Sequence, residues 1–507
     1  LKLFENIWFY FAVALTITII ANKGYKTFFF RPCSFHHWRQ SDGASYALNY
    51  FQNKGEGLLP PQVHHRFAKE GKAMSELPIV YYAAAKLYAL FGFHDYYIRL
   101  LHFSIFILGL FYLIKITSLF TKEIILQLLP FFFTLSSPLL FYYGANFLPD
   151  VSALSFSIVG LYFFIKYDQQ KKLKFLLLFC FCFVLAGLLK ISAIILFVAI
   201  AAFVLIKLFI SNTEYRCLVI KQKIALIALF AISFLLLFSW VQYDKYIAET
   251  YQFGGNLLDF RGIWESDKEH IIYIMTRLYE NWMHVFMAKY IWIAVAGSVL
   301  LLVFHIKSIN STLRIVIPFT AILVFTYLLS FFAVFDVHDY YLVTSFSLPI
   351  LIFIALVDLI EKKQWMTNWK GKLAISGVII SLWGYATYKS GIEQNFRYFT
   401  NKYGVFNQDY YSVEPYLRSI GIQKDDIVVS VPDPSPNVTL YLMNQIGFTE
   451  CYNSDNYNIN YFAQNEKAKY LIVGDSSYFQ NELYKPFCLA EKKVGTYKSI
   501  SIFKLQE

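Results

Sequence analysis

Apolar runs of about 17 to 22 residues recur along this chain from its N-terminal end to about residue 388, divided by polar stretches of unequal length. Each run can carry a helix across the ~30 Å hydrocarbon layer, where only a backbone that closes its own hydrogen bonds survives. The pattern predicts about eleven transmembrane helices, over residues 4–20, 97–117, 124–143, 148–165, 175–189, 191–209, 225–242, 289–306, 314–334, 342–360 and 373–388. No small-residue cleavage site follows the first run, so it reads as a retained helix rather than a signal peptide. Two longer segments, 21–96 and 243–288, interrupt the series as outer loops. Within the first, Leu77 to Phe91 is rich in Tyr and Ala with Lys86 among apolar residues, the pattern of a helix lying in the membrane interface and closed by Gly92.

Beyond residue 389 the pattern changes. Asp426 to Val431, Tyr470 to Val473 and Ser499 to Leu505 read as strands, and Leu440 to Gln445 and Tyr478 to Tyr484 as helices. Such alternation predicts a small α/β domain over 389–507, following a membrane module over 1–388.

Composition agrees with the membrane reading: 57% of residues are hydrophobic, 20% aromatic, and the mean hydropathy is +0.46. The net charge of +11 does not indicate nucleic acid, because the cations fall in short loops between apolar runs, such as Lys166, Lys171, Lys172 and Lys174, or Lys362, Lys363, Lys370 and Lys372. The alternate short loops at 144–147 and 335–341 hold no Lys or Arg. The positive-inside rule therefore predicts a cytoplasmic N-terminus and an extracytoplasmic C-terminal domain, and the high Phe, Ile, Lys and Asn content is compatible with a bacterial inner membrane. Cys180 and Cys182 lie in an apolar run and read as packed small hydrophobes, whereas Cys451 and Cys488 share the C-terminal region and could pair in an oxidising space.

Candidate chemistry gathers where predicted helices meet the outer surface. The first outer loop carries His36-His37-Trp38-Arg39-Gln40-Ser41-Asp42 and, further on, Glu76-Leu77-Pro78. Pro149-Asp150 stands at the mouth of the fourth helix, where an acid serves equally as a complement to the helix dipole or as a site residue. Lys190 lies between two apolar runs and must either reach the interface or meet an anion. Asp336-Val337-His338-Asp339-Tyr340-Tyr341 packs two acids, an imidazole and two phenols into one turn, more than a turn requires. The histidine pairs His36-His37 and His64-His65 lack the spacing that pre-arranges metal ligands, so no metal site and no required cofactor are expected, with a loosely held divalent cation left open. Asn437-Val438-Thr439 matches a glycosylation acceptor tripeptide.

On these residues the chain resembles the GT-C glycosyltransferases, in the branch with protein O-mannosyltransferases, the lipid A aminoarabinose transferase and galacturonosyltransferases that modify polysaccharides. The carriers are Trp38-Arg39-Gln40-Ser41-Asp42, Glu76-Leu77-Pro78, Pro149-Asp150, Lys190 and His338-Asp339-Tyr340-Tyr341, in that order. The resemblance implies a sugar donor on a polyprenyl phosphate, a hydroxyl acceptor on lipid, polysaccharide or protein, and an inverting displacement at the extracytoplasmic face. Asp42 matches the catalytic acid of the first loop, with Asp150 and Glu76 as accompanying acids. The donor phosphate would meet Lys190, Arg39, His338, Tyr340 and Tyr341. Two departures stand out: Leu77 where aminoarabinose transferases place a lysine, and Tyr340-Tyr341 where many members have an Arg-Tyr pair. Arg39, Lys72 and Lys190 are the cations offered instead. An oligosaccharide-level transferase or ligase, a secondary transporter and a receptor built on the C-terminal domain are the competing readings. Polar groups at outer helix ends, with no internal repeat, weigh against the transporter.

Overall fold

A computed structural model describes residues 6–53, 57–209, 215, 218–252, 260–401, 407–451 and 458–506. The chain is a polytopic helical membrane protein with a small C-terminal sheet. It divides into two compact units: Leu1–Phe29, Arg99–Gln242 and Leu258–Thr400 form one, and Phe30–Ile98, Tyr243–Leu257 and Asn401–Glu507 the other.

The first unit is a helical bundle. Among the described residues six helices are long and apolar enough to cross a membrane: Tyr96–Thr117, Asp150–Gln170, Ile191–Phe209, Ile220–Thr250, Ser311–Ser330 and Asp339–Lys362. Two bent pairs raise the number to eight if each is one span. The predicted run 124–143 is one of these pairs: Ile124–Leu135 and Pro138–Gly144 meet at 73°, because the Ser137 hydroxyl caps a fresh helix at Leu140 N–H and Pro138 occupies its first turn. The other pair, Lys268–Phe286 and Lys289–Phe304, bends by 88°. It draws part of the predicted outer loop 243–288 into helix, as does Ile220–Thr250, which runs past the predicted end at 242. Ile7–Ala21 and Leu173–Leu189 are shorter apolar helices, and Trp369–Asn395 is longer but less apolar. Phe4, where the first span is predicted to begin, lies outside the described residues.

Asp339–Lys362 is the span most enclosed by its neighbours. Its first eight residues are 3-10 helix, and the apolar stretch Ile350 to Ala355 within the α-helix that follows is buried throughout. An apolar cavity of about 300 Å³ opens beside it, lined by Trp282, Phe286, Trp292, Leu342, Ser345 and Ile352 among others.

The second unit joins the predicted first outer loop to the C-terminal sheet. Its strands are β1 (Val428–Val431), β2 (Gly447–Thr449), β3 (Tyr470–Val473), β4 (Lys493–Tyr497) and β5 (Ile500–Lys504), in the order β2-β1-β3-β5-β4. β1 runs parallel to β2 and β3, while β5 is antiparallel to β3 and β4. Val429, Val431, Leu471, Val473 and Phe503 bury one core with Phe448 and Phe462, whose rings stack at 4.3 Å. The predicted helix at Tyr478 to Tyr484 is instead a 3-10 turn at Ser476–Gln480, and β2 and β4 are strands the sequence pattern did not reveal. Cys451 and Cys488 are free thiols, so the disulfide entertained for them is not formed.

Two helices of the 30–98 segment, His37–Gln52 and Ile79–Phe91, pack on each other, and Val438–Met443 packs on the first of them. Gly43 makes the first contact possible, since a Cβ there would stand 2.6 Å from the Tyr81 ring. Gly92, at φ +88°, closes Ile79–Phe91 where the sequence predicts its end.

Candidate active site

The charged cluster expected in an outer loop sits on the first turns of the helix His37–Gln52. The apolar pattern conceals this helix, because most of what it buries is small or polar, Gln40, Ser41, Gly43, Ala44, Ser45 and Ala47, with Tyr46 and Leu48 as its large apolar contributors. Burial of two of those polar groups is made acceptable by bonds: the Gln40 amide donates to the carbonyls of Cys33 and Phe35 at 2.7 Å, and Ser45 Oγ lies 2.5 Å from His64 Nδ1.

Helical spacing brings Arg39 and Asp42 to one side, with the guanidinium Nη1 3.9 Å from Asp42 Oδ2. The other Arg39 terminal nitrogen donates to Glu76 and Ser75. Ser75 Oγ also donates to Glu76, and Tyr81 O–H donates to its Oε1 at 3.0 Å. Glu76, 4% exposed, is thus a carboxylate held by three donor groups. Asp42 differs. Its side chain is 17% exposed, and besides Arg39 it meets one amide donor, Asn437 Nδ2, at 3.2 Å. Burial pushes the Asp42 carboxyl up to about 7, against the opposing pull of Arg39 and the Asn437 hydrogen bond and with a smaller push from Glu76. A carboxyl poised near neutrality with open lone pairs can accept a proton; a saturated one such as Glu76 fixes neighbours.

Asp150 and Lys190 belong to the helical bundle. Forty positions apart in sequence, they form an ion pair, Lys190 Nζ lying 3.2 Å from Asp150 Oδ1. The anion that Lys190 required is therefore supplied by the protein itself. Asp150, in the first turn of Asp150–Gln170, is 3% exposed on its side chain. Lys190 stands in extended backbone between Leu173–Leu189 and the 3-10 turn at Ile191–Ile194, a break that aims its ammonium at the rings of Tyr340 (5.0 Å) and Tyr341 (4.3 Å). Tyr327 O–H fixes the backbone there through Tyr341 O at 3.0 Å, and Ser192 Oγ meets Thr344 Oγ1 at 2.8 Å. The His338 ring leans on those of Tyr340 and Tyr341, at 5.3 and 6.1 Å.

Asp339, from the same motif, serves a different network. Its Oδ2 accepts from Arg397 at 2.7 Å and its Oδ1 from Tyr143 O–H at 2.5 Å, with both charged side chains fully buried. Arg397 also holds Glu393 at 2.8 Å and lies over the Tyr142 ring at 4.6 Å. The sequence pattern does not single out Arg397, Tyr143, Ser75 or Tyr81, and it marks Asn437 as a glycosylation acceptor rather than a partner of Asp42. Arg397, a cation beyond the last predicted span, is the one that left a visible signal. Lys72, offered as a phosphate contact, pairs instead with Glu70 at 2.8 Å and faces the Tyr251 ring.

The paired histidines are packing residues in their surroundings. His64 Nε2 meets Asn444 Oδ1 at 3.3 Å, and burial lowers His64 and His65 to about 3 and His37 to about 4, so all three are neutral. Among the described residues no group of three His, Cys, Asp or Glu side chains is placed to hold a metal ion. The acceptor tripeptide at Asn437 is not a surface feature: Asn437 and Thr439 are fully buried.

No family model matches the chain, and no curated protein sequence matches it. Solved structures do. ArnT from Cupriavidus metallidurans in its apo state aligns over 99% of this chain and 98% of its own, with a TM-score of 0.60 and 11% identity. The same protein bound to undecaprenyl phosphate gives 0.62 at 10% identity, over 99% and 98%. The mycobacterial arabinofuranosyltransferase AftD gives 0.56 at 11% identity, over 98% of this chain but 40% of its own length. At such identities the likeness is one of architecture, and it extends from end to end: this chain has the GT-C fold.

Proposed function

We propose that this protein is a membrane glycosyltransferase that moves a sugar from a polyprenyl-phosphate donor to a hydroxyl acceptor at the extracytoplasmic face. The observation that carries the reading is a GT-C fold, shared over 99% of the chain with a structure that binds undecaprenyl phosphate, in which Asp42 is a partly exposed carboxyl poised near neutrality. The acceptor oxygen attacks the anomeric carbon while the bond from that carbon to the phosphate oxygen breaks, and its electron pair leaves with the lipid phosphate. Configuration inverts, and the acceptor proton passes to the Asp42 carboxylate. Glu76 holds Arg39 beside Asp42. Charge growing on the departing phosphate calls for cations and hydroxyl donors, a role proposed within the helical bundle for Lys190, His338, Tyr340 and Tyr341, and within the second unit for Arg39. Asp150 holds the Lys190 ammonium until an anionic headgroup competes for it. The apolar cavity beside Asp339–Lys362 suits an isoprenoid chain. No divalent cation is required by this chemistry.

The test is turnover in proteoliposomes supplied with a panel of undecaprenyl-phosphate sugars and envelope acceptors, read by release of undecaprenyl phosphate. Sugar transfer from one of them, with loss of a matching decoration from envelope glycans when the protein is removed, supports the reading. Uptake of a solute without any bond cleavage would favour the transporter.

A further inference from the structure

Asn437 precedes the short helix Val438–Met443, the position where an asparagine ordinarily caps its own helix through N–H groups two or three residues on. Here it does not. The Val438 N–H is taken by Ser435 Oγ at 3.0 Å, and the Thr439 N–H by Asp433 Oδ2 at 2.8 Å. The Asn437 side chain, fully buried, is thereby released to reach the 30–98 segment of the same unit. Its Oδ1 accepts the backbone N–H groups of His64 and His65, both at 3.2 Å. Its Nδ2 lies 3.2 Å from Asp42 Oδ1 and 3.4 Å from Ser41 O. Two backbone donors on one side and the Ser41 carbonyl on the other leave a single sensible orientation for the amide.

The His64–His65 segment is itself pinned, since Gly447 N–H donates to His64 O at 3.1 Å and Arg66 N–H donates to Gly447 O at 2.8 Å. Asn437 is therefore held by backbone on one side and presents a fixed donor on the other. We propose that Asn437, supplied by the C-terminal sheet region, is the positioning residue for the Asp42 carboxylate, fixing one of its oxygens and favouring its ionised form. This rests on the reading of Asp42 as the proton acceptor. It also gives the C-terminal region a part in the chemistry: without that region Asp42 loses its amide donor.

Five groups face or act on Asp42 and would set its titration. They are Arg39 and Tyr46 on its own helix, Glu76 before Ile79–Phe91, Asn437 before Val438–Met443, and Cys451 after β2. Of these, Asn437 is a neutral group that donates a hydrogen bond to Asp42, at 3.2 Å.

Asn437→Asp is the informative substitution. An aspartate keeps an acceptor for the His64 and His65 N–H groups, so that contact survives, but replaces the donor facing Asp42 with a second carboxylate. The full-length protein in detergent is treated with dicyclohexylcarbodiimide, which reacts with protonated carboxyls, over a range of pH, and adducts at Asp42 are quantified by peptide mass spectrometry. The expected result is a labelling midpoint raised by at least ~1 pH unit relative to the parent protein, with the Asp433 adduct unchanged. Asn437→Ala should move the midpoint in the same direction by less. Identical Asp42 labelling curves in parent and Asn437→Asp, whether titrating or flat, overturn the proposal. A raised midpoint in a protein that transfers no sugar would remove the transferase reading and keep the role of Asn437. Sugar transfer with an unmoved midpoint would do the reverse.

Discussion

Replacing Asp339 by leucine removes one partner from a fully buried ion pair of the helical bundle. The pair is closed to solvent on both sides, with 2.7 Å between Arg397 Nη2 and Asp339 Oδ2. At that separation the attraction is about 6 kcal/mol for an effective dielectric constant of about 20, and burial of two ions offsets much of it. The change also takes the Asp339 acceptor from Tyr143, whose hydroxyl donates to it at 2.5 Å. Such a bond to a charged acceptor contributes about 1.5 to 3 kcal/mol. Glu393 remains 2.8 Å from Arg397 Nε and still neutralises part of its charge, which places the loss at the lower end of the usual range for a broken buried pair, about 3 kcal/mol. Unfolding in mixed micelles at rising SDS fraction, followed by tryptophan fluorescence, reads the difference. Arg397→Met should cost a similar amount. The Asp339→Leu/Arg397→Met double variant should cost clearly less than the sum of the two singles, because the second replacement removes the charge that the first left uncompensated, while Tyr143 and Glu393 keep the losses of their own bonds. A single variant within ~1 kcal/mol of the parent, or a double variant as unstable as the sum of the singles, would refute this reasoning.

Three further outcomes follow from the geometry. Because burial raises Asp42 to about 7 and a base must be ionised, kcat/KM should fall as pH drops below about 7, while the same shift weakens folding as pH rises from about 4 to about 7, where the folded chain holds a proton the unfolded chain has released. Arg39→Gln removes the nearest cation from Asp42 and should move the acid limb of that profile upward by about 1 to 2 pH units; an unmoved limb would show that Arg39 does not act on Asp42. Gly43→Ala should drive the Tyr81 ring off Glu76 and lower stability by about 1 to 3 kcal/mol in the same SDS titration, and a neutral result would mean that the two helices separate freely.

Much of the fold could be read from the sequence because bilayer length imposes a long apolar signal. Tyr96–Thr117 and Lys289–Phe304 begin within one residue of their predicted starts, and β3 coincides with its prediction. What escaped lies where length and hydrophobicity stop deciding. A serine followed by proline at 137–138 breaks an apolar run that a hydropathy window treats as continuous. The helix His37–Gln52 buries Gln, Ser and Ala, so its period is carried by hydrogen bonds invisible to an apolar count. The site shows the same division. Lys190 was conspicuous because an apolar setting demands a counter-ion, yet only the folded chain identifies that ion as Asp150. Asn437 resembled a surface acceptor in sequence, since three residues cannot reveal that Ser435 and Asp433 take over its capping duty.

The account stands on Asp42 as the group that takes the acceptor proton. Turnover of a polyprenyl-phosphate sugar by Asp42→Asn protein in liposomes measures this most directly, with folding verified by an unchanged SDS unfolding curve. A loss of at least ~100-fold, the scale of a missing general base, is the predicted result, and turnover close to that of the parent protein would contradict it.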